Sequence, residues 1–172
     1  MKEKSKLLFS DNDIQKRILS LSEDLNSHYH GKNVVIIGVL NGCFMFVSDL
    51  AKHLKFNFKL DFIKVSTYKD SLNPVNKPSV NFTINENLKG KCILIIDDIV
   101  DSGNTMNFLN DYFEKFSPKE IKSCCLIKKD KKNSDIDWIG FHFSGNFVYG
   151  YGMDYMSKYR NLNSIYELNY ND

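Results

Sequence analysis

Residues 91–105 read Lys91-Cys92-Ile93-Leu94-Ile95-Ile96-Asp97-Asp98-Ile99-Val100-Asp101-Ser102-Gly103-Asn104-Thr105. The apolar run is long enough for a buried strand, and it ends in two adjacent carboxylates. A third carboxylate and a loop of small residues follow, and apolar residues then recur at helical spacing from Met106 to Phe116. Backbone N–H groups at the start of a helix bind anions, and carboxylates suit a cation or sugar hydroxyls. The stretch therefore predicts a ligand that combines phosphate, sugar and metal.

The alternation of strand and helix continues on both sides of this stretch. Residues 34–39 and 121–127 are nearly continuous apolar runs, which is typical of parallel strands covered on both faces. Further strands are predicted at 58–65 and 139–143, and a helix at 44–54. This order predicts an α/β fold with a central parallel sheet and helices on both faces. Ligands bind beyond the carboxyl ends of the strands in such folds, so the candidate residues should gather at one edge.

Three further segments complete the predicted organisation. A helix is predicted through Ile14 and Leu25, with Ser10 or Asp11 as its cap. Residues 68–79 are polar and contain two prolines, so we predict a long loop that acts as a lid. A short strand is predicted at 80–84.

Composition indicates an ordinary globular protein. The 172 residues suit one domain, and 42% hydrophobic with 26% charged residues is a usual balance. A net charge of +2 argues against a dedicated nucleic-acid binder. Four cysteines without metal-finger spacing fit a reducing compartment, and neither a signal peptide nor a membrane-spanning run is evident. We therefore expect a cytoplasmic protein without nucleic-acid or membrane partners.

The acidic pair and the small-residue loop have distinct chemistry. Strand alternation would make Asp97 and Asp98 diverge, which suits sugar hydroxyls or a cation better than a shared proton. Gly103 permits a backbone angle at which successive N–H groups converge on one anion, and Ser102 and Thr105 add hydroxyl donors. The loop is neither a Walker loop nor a dinucleotide fingerprint. A solvated turn with a helix cap remains the simpler alternative.

The residues from Ile95 to Thr105 resemble the phosphoribosyl-pyrophosphate motif of type I phosphoribosyltransferases. Three further stretches make the chain most similar to the hypoxanthine-guanine (6-oxopurine) branch. They are Leu126-Ile127-Lys128, Phe147-Val148-Tyr149-Gly150-Tyr151-Gly152-Met153-Asp154-Tyr155 and Tyr159-Arg160-Asn161-Leu162. The order and spacing hold from about Val34 to Leu162, which is most of the chain.

The resemblance implies a Mg2+-dependent purine salvage enzyme. Such an enzyme transfers the 5-phosphoribosyl group from phosphoribosyl pyrophosphate to hypoxanthine or guanine and releases pyrophosphate. The resemblance implies a single domain over 1–172, with a core at about 34–145 and a hood from about 1–15 and 146–172. It also implies a homodimer or homotetramer.

The resemblance also assigns roles to individual residues. Phosphoribosyl binding falls to Asp97, Asp98, Asp101, Ser102, Gly103, Asn104 and Thr105, and Asp101 is also the catalytic proton acceptor. Purine binding falls to Lys128, Phe147, Val148 and Asp154, and pyrophosphate binding to Leu40, Asn41, Gly42 and Arg160. Metal binding falls to Asp97, Asp98 and Asp154, and the start of the lid to Thr67 and Tyr68. The loop at Leu40 would carry a cis non-proline peptide bond.

Two departures from the family pattern and several alternatives accompany these roles. Asn41 stands where Lys or Arg is usual, and Asp97 stands where Glu is commoner. Lys128 could be a surface lysine, Phe147 could be core, and Asp154 with Arg160 could be a surface ion pair. Competing functions are a regulator that binds nucleic acid with phosphoribosyl pyrophosphate as effector, a phosphoribosyltransferase for another base, and a phosphate-receiver domain.

Overall fold

Strands and helices alternate through most of the computed structural model, which describes residues 4–70, 73–80, 87–130 and 134–169. In chain order the elements are β1 (Lys4–Phe9), α1 (Asp11–Tyr29), β2 (Val34–Leu40), α2 (Phe44–Ala51), β3 (Phe58–Asp70), β4 (Asn73–Val80), β5 (Cys92–Val100), α3 (Asn104–Glu114), β6 (Glu120–Lys129), β7 (Trp138–Phe143), β8 (Phe147–Tyr149) and β9 (Ile165–Asn169). None of the helices in these ranges is both long and apolar enough to cross a bilayer.

The larger sheet has the strand order β4-β3-β2-β5-β6-β7. Its five strands from β3 to β7 run parallel, whereas β4 pairs antiparallel with β3 at the edge. The predicted fold class is therefore confirmed. β5 lies between β2 and β6, so the acidic pair at its end stands near the middle of the sheet.

The alternation of β5 explains why helices cover both faces of the sheet. Ile93 and Ile95 pack with Met106, Leu109 and other residues on the side of α3. The intervening residues of β5 face the other side, where they join the buried faces of α1 and α2. A strand that buries both faces must be apolar throughout, which is why the carboxylates begin only where the strand leaves the core.

Helix α1 begins at the predicted cap. The Ser10 hydroxyl accepts a hydrogen bond from the Asp13 N–H at 3.2 Å, and an Asp13 carboxylate oxygen accepts from the Ser10 N–H at 3.1 Å. This reciprocal capping box satisfies two N–H groups that the first helical turn would otherwise leave unpaired. Ile14 and Leu25 face the core, as the sequence predicts.

A smaller antiparallel sheet with the order β1-β9-β8 joins residues from the two ends of the chain. Lys4 pairs with Asn169, and β8 pairs with β9 through Phe147 opposite Leu168. The predicted fold class had a small hood from the N- and C-terminal segments, where this sheet lies, although the strand β1 was not predicted. It carries Phe147 and Val148 over the carboxyl edge of the larger sheet.

The predicted loop at 68–79 is wrong. β3 continues to Asp70, and Asn73–Val80 returns beside it as β4, with Thr67 opposite Pro78. Proline lacks an N–H group and is tolerated on an edge strand, so prolines did not require a loop here. Thr67 and Tyr68 therefore lie in a strand of a β-hairpin, and residues 81–84 of the predicted short strand lie outside the described ranges.

Candidate active site

The carboxyl ends of the three central strands meet at one edge of the larger sheet. Gly38 of β2 pairs with Ile96, immediately before the acidic pair of β5, and Val100 of β5 pairs with Lys128 of β6. The loops that follow these strands therefore start side by side. Asn41 and Asp101 follow β2 and β5 within this group, as the parallel order predicts.

The loop after β2 lies in close contact with its neighbours. The Leu40–Asn41 peptide bond is cis, as the resemblance implied. A Cβ atom on Gly42 would lie 1.7 Å from an Asp98 carboxylate oxygen, and one on Gly152 would lie 2.1 Å from the Gly42 carbonyl oxygen. Gly152 therefore requires glycine, because a side chain there would overlap backbone, whereas a side chain at Gly42 would force the Asp98 carboxylate to move. The loop backbone consequently lies between Asp98 and the turn that contains Gly152.

The N-terminus of α3 forms a small cavity of about 140 Å³ with the end of β5. Gly103 has φ +76°, a left-handed conformation that glycine adopts without steric cost. A Cβ atom there would also lie 2.6 Å from the Ser134 Cβ. The Asn104 N–H in the first turn of α3 donates to the Ser102 hydroxyl at 3.4 Å, and that turn holds no acidic residue. The cavity is lined by Asp97, Asp101, Ser102, Gly103, Asn104 and Thr105, among others. The helix amides and hydroxyls favour an anion of phosphate size, and the Asp97 and Asp101 carboxylates in the same wall suit a cation or hydroxyl donors.

The two members of the acidic pair differ in burial and line different cavities. Asp97 is 7% exposed, and its carboxylate accepts a hydrogen bond of 2.9 Å from the Asp98 N–H. Burial and the adjacent Asp98 charge raise the pKa of Asp97 well above its usual value. Asp97 lines the small cavity and Asp98 the larger one, which agrees with the predicted divergence along the strand. A cation or a set of hydroxyl donors between them would relieve the repulsion.

A larger cavity of about 440 Å³ adjoins the small one. Asp101 and Ile99 line both, so Asp101 stands at their junction. This volume lies in the range of roughly 300–1,000 Å³ that is usual for small-molecule sites. The predicted residues that the fold brings together in its wall are Asn41, Gly42, Asp98, Asp101, Phe147, Val148, Asp154 and Arg160.

Asp154 and Arg160 form an ion pair in the wall of this larger cavity. One Arg160 nitrogen donates to Asp154 at 2.6 Å, and another donates to the Gly152 carbonyl at 2.7 Å. The second Asp154 oxygen accepts from the Ser157 N–H at 2.8 Å. Each partner is about one-third exposed, so the pair alone contributes little to stability. Its location favours a role in the site over the alternative of an incidental surface pair.

Phe147 presents an aromatic face to the cavity. The side chain is 38% exposed and packs edge-on against Tyr155 at a centroid distance of 5.7 Å. The alternative that Phe147 is core does not fit this exposure. Val148 beside it is buried and lines the same cavity.

Leu40 and Lys128 line neither of the two adjoining cavities, and the side chains of Thr67 and Tyr68 lie outside the described part of the structure. Leu40 precedes the loop, Thr67 and Tyr68 lie in β3, and Lys128 lines a separate cavity with Ser134 and Asp135. Lys129 lines the larger cavity instead and donates to the Asn146 carbonyl at 2.9 Å. The sequence did not single out Lys129, because adjacent lysines at a strand end give no signal of which one faces the ligand.

Comparisons with known proteins agree with this geometry. A family model described as a phosphoribosyl transferase domain matches residues 8–155. The hypoxanthine-guanine-xanthine phosphoribosyltransferase of Tritrichomonas foetus is 39% identical over 170 residues, which covers 94% of this chain and 90% of that protein. The hypoxanthine-guanine phosphoribosyltransferase of Bacillus subtilis is 38% identical over 160 residues, which covers 91% of this chain and 89% of that protein.

A crystal structure of a hypoxanthine-guanine phosphoribosyltransferase from Bacillus anthracis superposes with a TM-score of 0.87. It is 33% identical, and the match covers 97% of this chain and 99% of that one. The agreement therefore extends over the whole architecture, including both sheets, and is not confined to the motif around Asp101. On this evidence the chain belongs to the phosphoribosyltransferase family.

Proposed function

We propose that the chain is a purine salvage enzyme that transfers the 5-phosphoribosyl group from phosphoribosyl pyrophosphate to hypoxanthine, guanine or both. The observation that carries this proposal is the pair of adjoining cavities that share Asp101. One is small and lined by the N-terminus of α3, and the other is larger and contains an aromatic ring. A phosphoribosyl group would fill the first, and the base and pyrophosphate would fill the second.

The phosphate end of the donor would bind the loop from Asp101 to Thr105. Amides and hydroxyls at the start of α3 supply hydrogen-bond donors, and the helix dipole adds a favourable field. Asp97 and Asp98 would then accept hydrogen bonds from the ribose hydroxyls. Negative charge beside the anomeric carbon also stabilises the cation-like sugar that forms as pyrophosphate leaves.

The purine would stack on Phe147, and the Val148 backbone would read its edge. Asp101 at the junction of the cavities would face the imidazole nitrogen of the base and accept its proton as the glycosidic bond forms. Lys128 is the donor that the resemblance assigns to the exocyclic oxygen. Lys129 already lines the cavity and is a second candidate for that contact.

Pyrophosphate would bind the backbone of the loop from Leu40 to Gly42 together with Arg160. Arg160 is positively charged at any physiological pH and can neutralise charge on the leaving group. Asn41 removes the positive charge that is usual at its position, so we expect weaker electrostatic attraction for pyrophosphate at this loop.

The donor set fits Mg2+, although no described group of three or more His, Cys, Asp or Glu residues could hold a metal alone. Mg2+ is commonly bound by one or two carboxylates, waters and substrate phosphates. Asp98 and Asp154 line the cavity assigned to pyrophosphate, and Asp97 lies beside Asp98. When bound, Mg2+ would neutralise phosphate charge and so make pyrophosphate a better leaving group.

The decisive test is a panel of radiolabelled hypoxanthine, guanine, xanthine and adenine, each with phosphoribosyl pyrophosphate and scored for nucleotide. We expect nucleotide from hypoxanthine or guanine with Mg2+ and a loss of activity when Mg2+ is chelated. Adenine should not react, because its exocyclic amine donates where the site offers a lysine donor. The proposal would be contradicted if adenine were the one base that gave nucleotide, or if none of the four bases did.

The Phe147→Ala variant should raise the KM for the base by about tenfold or more, because stacking on an aromatic ring contributes roughly 1–3 kcal/mol. The KM for phosphoribosyl pyrophosphate should change much less, since its phosphate binds at α3. Steady-state kinetics with each substrate varied in turn measures both values. Phe116→Ala is the matched control, because Phe116 is 41% exposed and packs on Tyr112 and Phe113 away from the cavity. An unchanged KM for the base in Phe147→Ala would remove this residue from the purine site.

A further inference from the structure

The turn from Gly150 to Met153 holds an aromatic residue in an unusual backbone conformation. Gly150 and Met153 exchange backbone hydrogen bonds of 2.9 and 3.1 Å across it. Tyr151 has φ +51° and Gly152 has φ +94° at the two central positions. Left-handed angles are costly for a bulky side chain, whereas glycine accepts them. Backbone hydrogen bonds from the Tyr151 N–H to the Leu162 carbonyl (2.8 Å) and from the Gly152 N–H to the Arg160 carbonyl (2.9 Å) hold this conformation, together with contacts of the Tyr151 side chain.

The Tyr151 side chain is held by burial and by one hydrogen-bond network. Tyr151 is 1% exposed, and its hydroxyl donates to an Asp49 carboxylate oxygen at 2.7 Å. The same oxygen accepts from the Gln15 amide at 3.1 Å, and the other Asp49 oxygen accepts from Lys52 at 2.7 Å. Burial opposes the charge on Asp49, but the hydrogen bonds from Lys52, Tyr151 and Gln15 lower its pKa. Both carboxylate oxygens of Asp49 thus accept hydrogen bonds, and one of these bonds comes from Tyr151.

Asp49 lies in α2, which begins immediately after the loop assigned to pyrophosphate. Gly152, the next residue after Tyr151, packs on the carbonyl oxygen of Gly42 in that loop. Arg160 adds a third link, because its side chain donates to the Gly152 carbonyl. The Tyr151 side chain therefore holds the turn to α2. The backbone of the next residue, Gly152, holds the turn to the loop that contains Gly42.

We propose that Tyr151 and Asp49 form a positioning pair for pyrophosphate binding, a proposal that rests on the proposed function. The hydrogen bond holds the Gly150–Met153 turn against α2, and the turn holds Gly42 and Arg160 at the separation that the leaving group requires. Neither residue lines the larger cavity, so the pair acts through Gly42 and Arg160 and does not touch the substrate.

The test is the Tyr151→Phe variant of the full chain. The ring still fills its site, and Asp49 keeps Gln15 and Lys52 as partners, so the fold should survive. We expect the Kd of magnesium pyrophosphate, measured by calorimetry, to rise about tenfold, since a hydrogen bond to a charged group is lost. The KM for phosphoribosyl pyrophosphate should rise in parallel, and the KM for the base should stay within about twofold.

Tyr149→Phe is the matched control. The Tyr149 hydroxyl donates to the Ser5 hydroxyl at 2.7 Å, so the variant removes a hydrogen bond of the same length from the adjacent strand without affecting α2. It should leave the Kd of pyrophosphate unchanged. Equal effects of both variants, or a lower melting temperature of Tyr151→Phe without a change in Kd, would show that the hydroxyl only stabilises the fold and would overturn the proposal.

A double-mutant cycle separates a pair from two independent residues. Asp49→Ala should raise the Kd of pyrophosphate, and adding Tyr151→Phe to it should raise the Kd no further, because the shared interaction is already lost. Additive effects would overturn the pairing. If the wild-type chain forms no nucleotide from any base, the proposed function fails. The calorimetric cycle still decides the positioning pair, because it measures binding without turnover.

Discussion

The Asp101→Asn variant should lose turnover by about a hundredfold to ten-thousandfold while it keeps its fold, because the substitution preserves size but removes the proton acceptor. Asp101 is exposed at the end of β5, at the junction of the two cavities, so an amide in its place meets no clash. Measurement of kcat with hypoxanthine and with guanine at saturating phosphoribosyl pyrophosphate tests this directly.

Binding of the donor distinguishes catalysis from loss of the site. The amides of the loop that starts α3 should still hold the phosphate in Asp101→Asn, so calorimetry should give a Kd for phosphoribosyl pyrophosphate close to that of the wild type. Asp111→Asn is the matched control, because Asp111 is an exposed aspartate of α3 that lines neither cavity. Turnover near the wild-type level in Asp101→Asn would exclude Asp101 as the proton acceptor.

The sequence predicted the central part of this architecture because its signals are local. An apolar run that ends in carboxylates marks a strand that leaves the core, as β5 does at Asp97. The parallel order of strands then places the loops after β2 and β5 at one edge without further information. The Ser10 cap, the buried face of α1 and the small-residue start of α3 follow from the same kind of short-range pattern.

Pairing between strands that lie far apart in the sequence could not be predicted from local patterns. β1 is stabilised by β9, which lies at the other end of the chain, and nothing near Lys4–Phe9 signals that partner. The prolines within residues 68–79 predict a loop, whereas the structure has the end of β3 and most of β4 there. An edge strand needs hydrogen bonds on one side alone, so proline is compatible with it in a way that composition does not reveal.

The remaining details of the site depend on side-chain direction and on contacts across the fold. Lys128 and Lys129 are equivalent in the sequence, yet they line different cavities. Likewise Tyr151 is one of nine tyrosines, and its attachment to Asp49 spans 102 positions. Glycines carry a clearer signal, because they mark close approach of backbones, but the partner of each approach appears only in three dimensions.

Gly152→Ala should be the most damaging single-methyl change near the site. Its φ of +94° is unfavourable for alanine, and the new Cβ would lie 2.1 Å from the Gly42 carbonyl oxygen. Backbone strain of roughly 1–2 kcal/mol and overpacking of roughly 1–3 kcal/mol predict a total loss of about 2–5 kcal/mol of unfolding free energy. The overlap is with a backbone atom, so rotation of a side chain cannot relieve it. The whole loop assigned to pyrophosphate must shift instead. We therefore also expect kcat/KM for phosphoribosyl pyrophosphate to fall by about tenfold or more.

The Gly90→Ala variant separates backbone strain from overpacking. Gly90 also has a positive φ, +70°, but a Cβ atom there would meet nothing within 4 Å. This control should lose about 1–2 kcal/mol from backbone strain alone and keep full activity, since Gly90 lies just before β5, at the opposite end of that strand from the cavity walls. Chemical denaturation and steady-state kinetics on both variants give the comparison. If Gly152→Ala matched Gly90→Ala in stability and in kcat/KM, the contact between Gly152 and Gly42 would have no part in forming the site. We expect a larger loss of both stability and kcat/KM in Gly152→Ala, because its new methyl group would displace the Gly42 backbone.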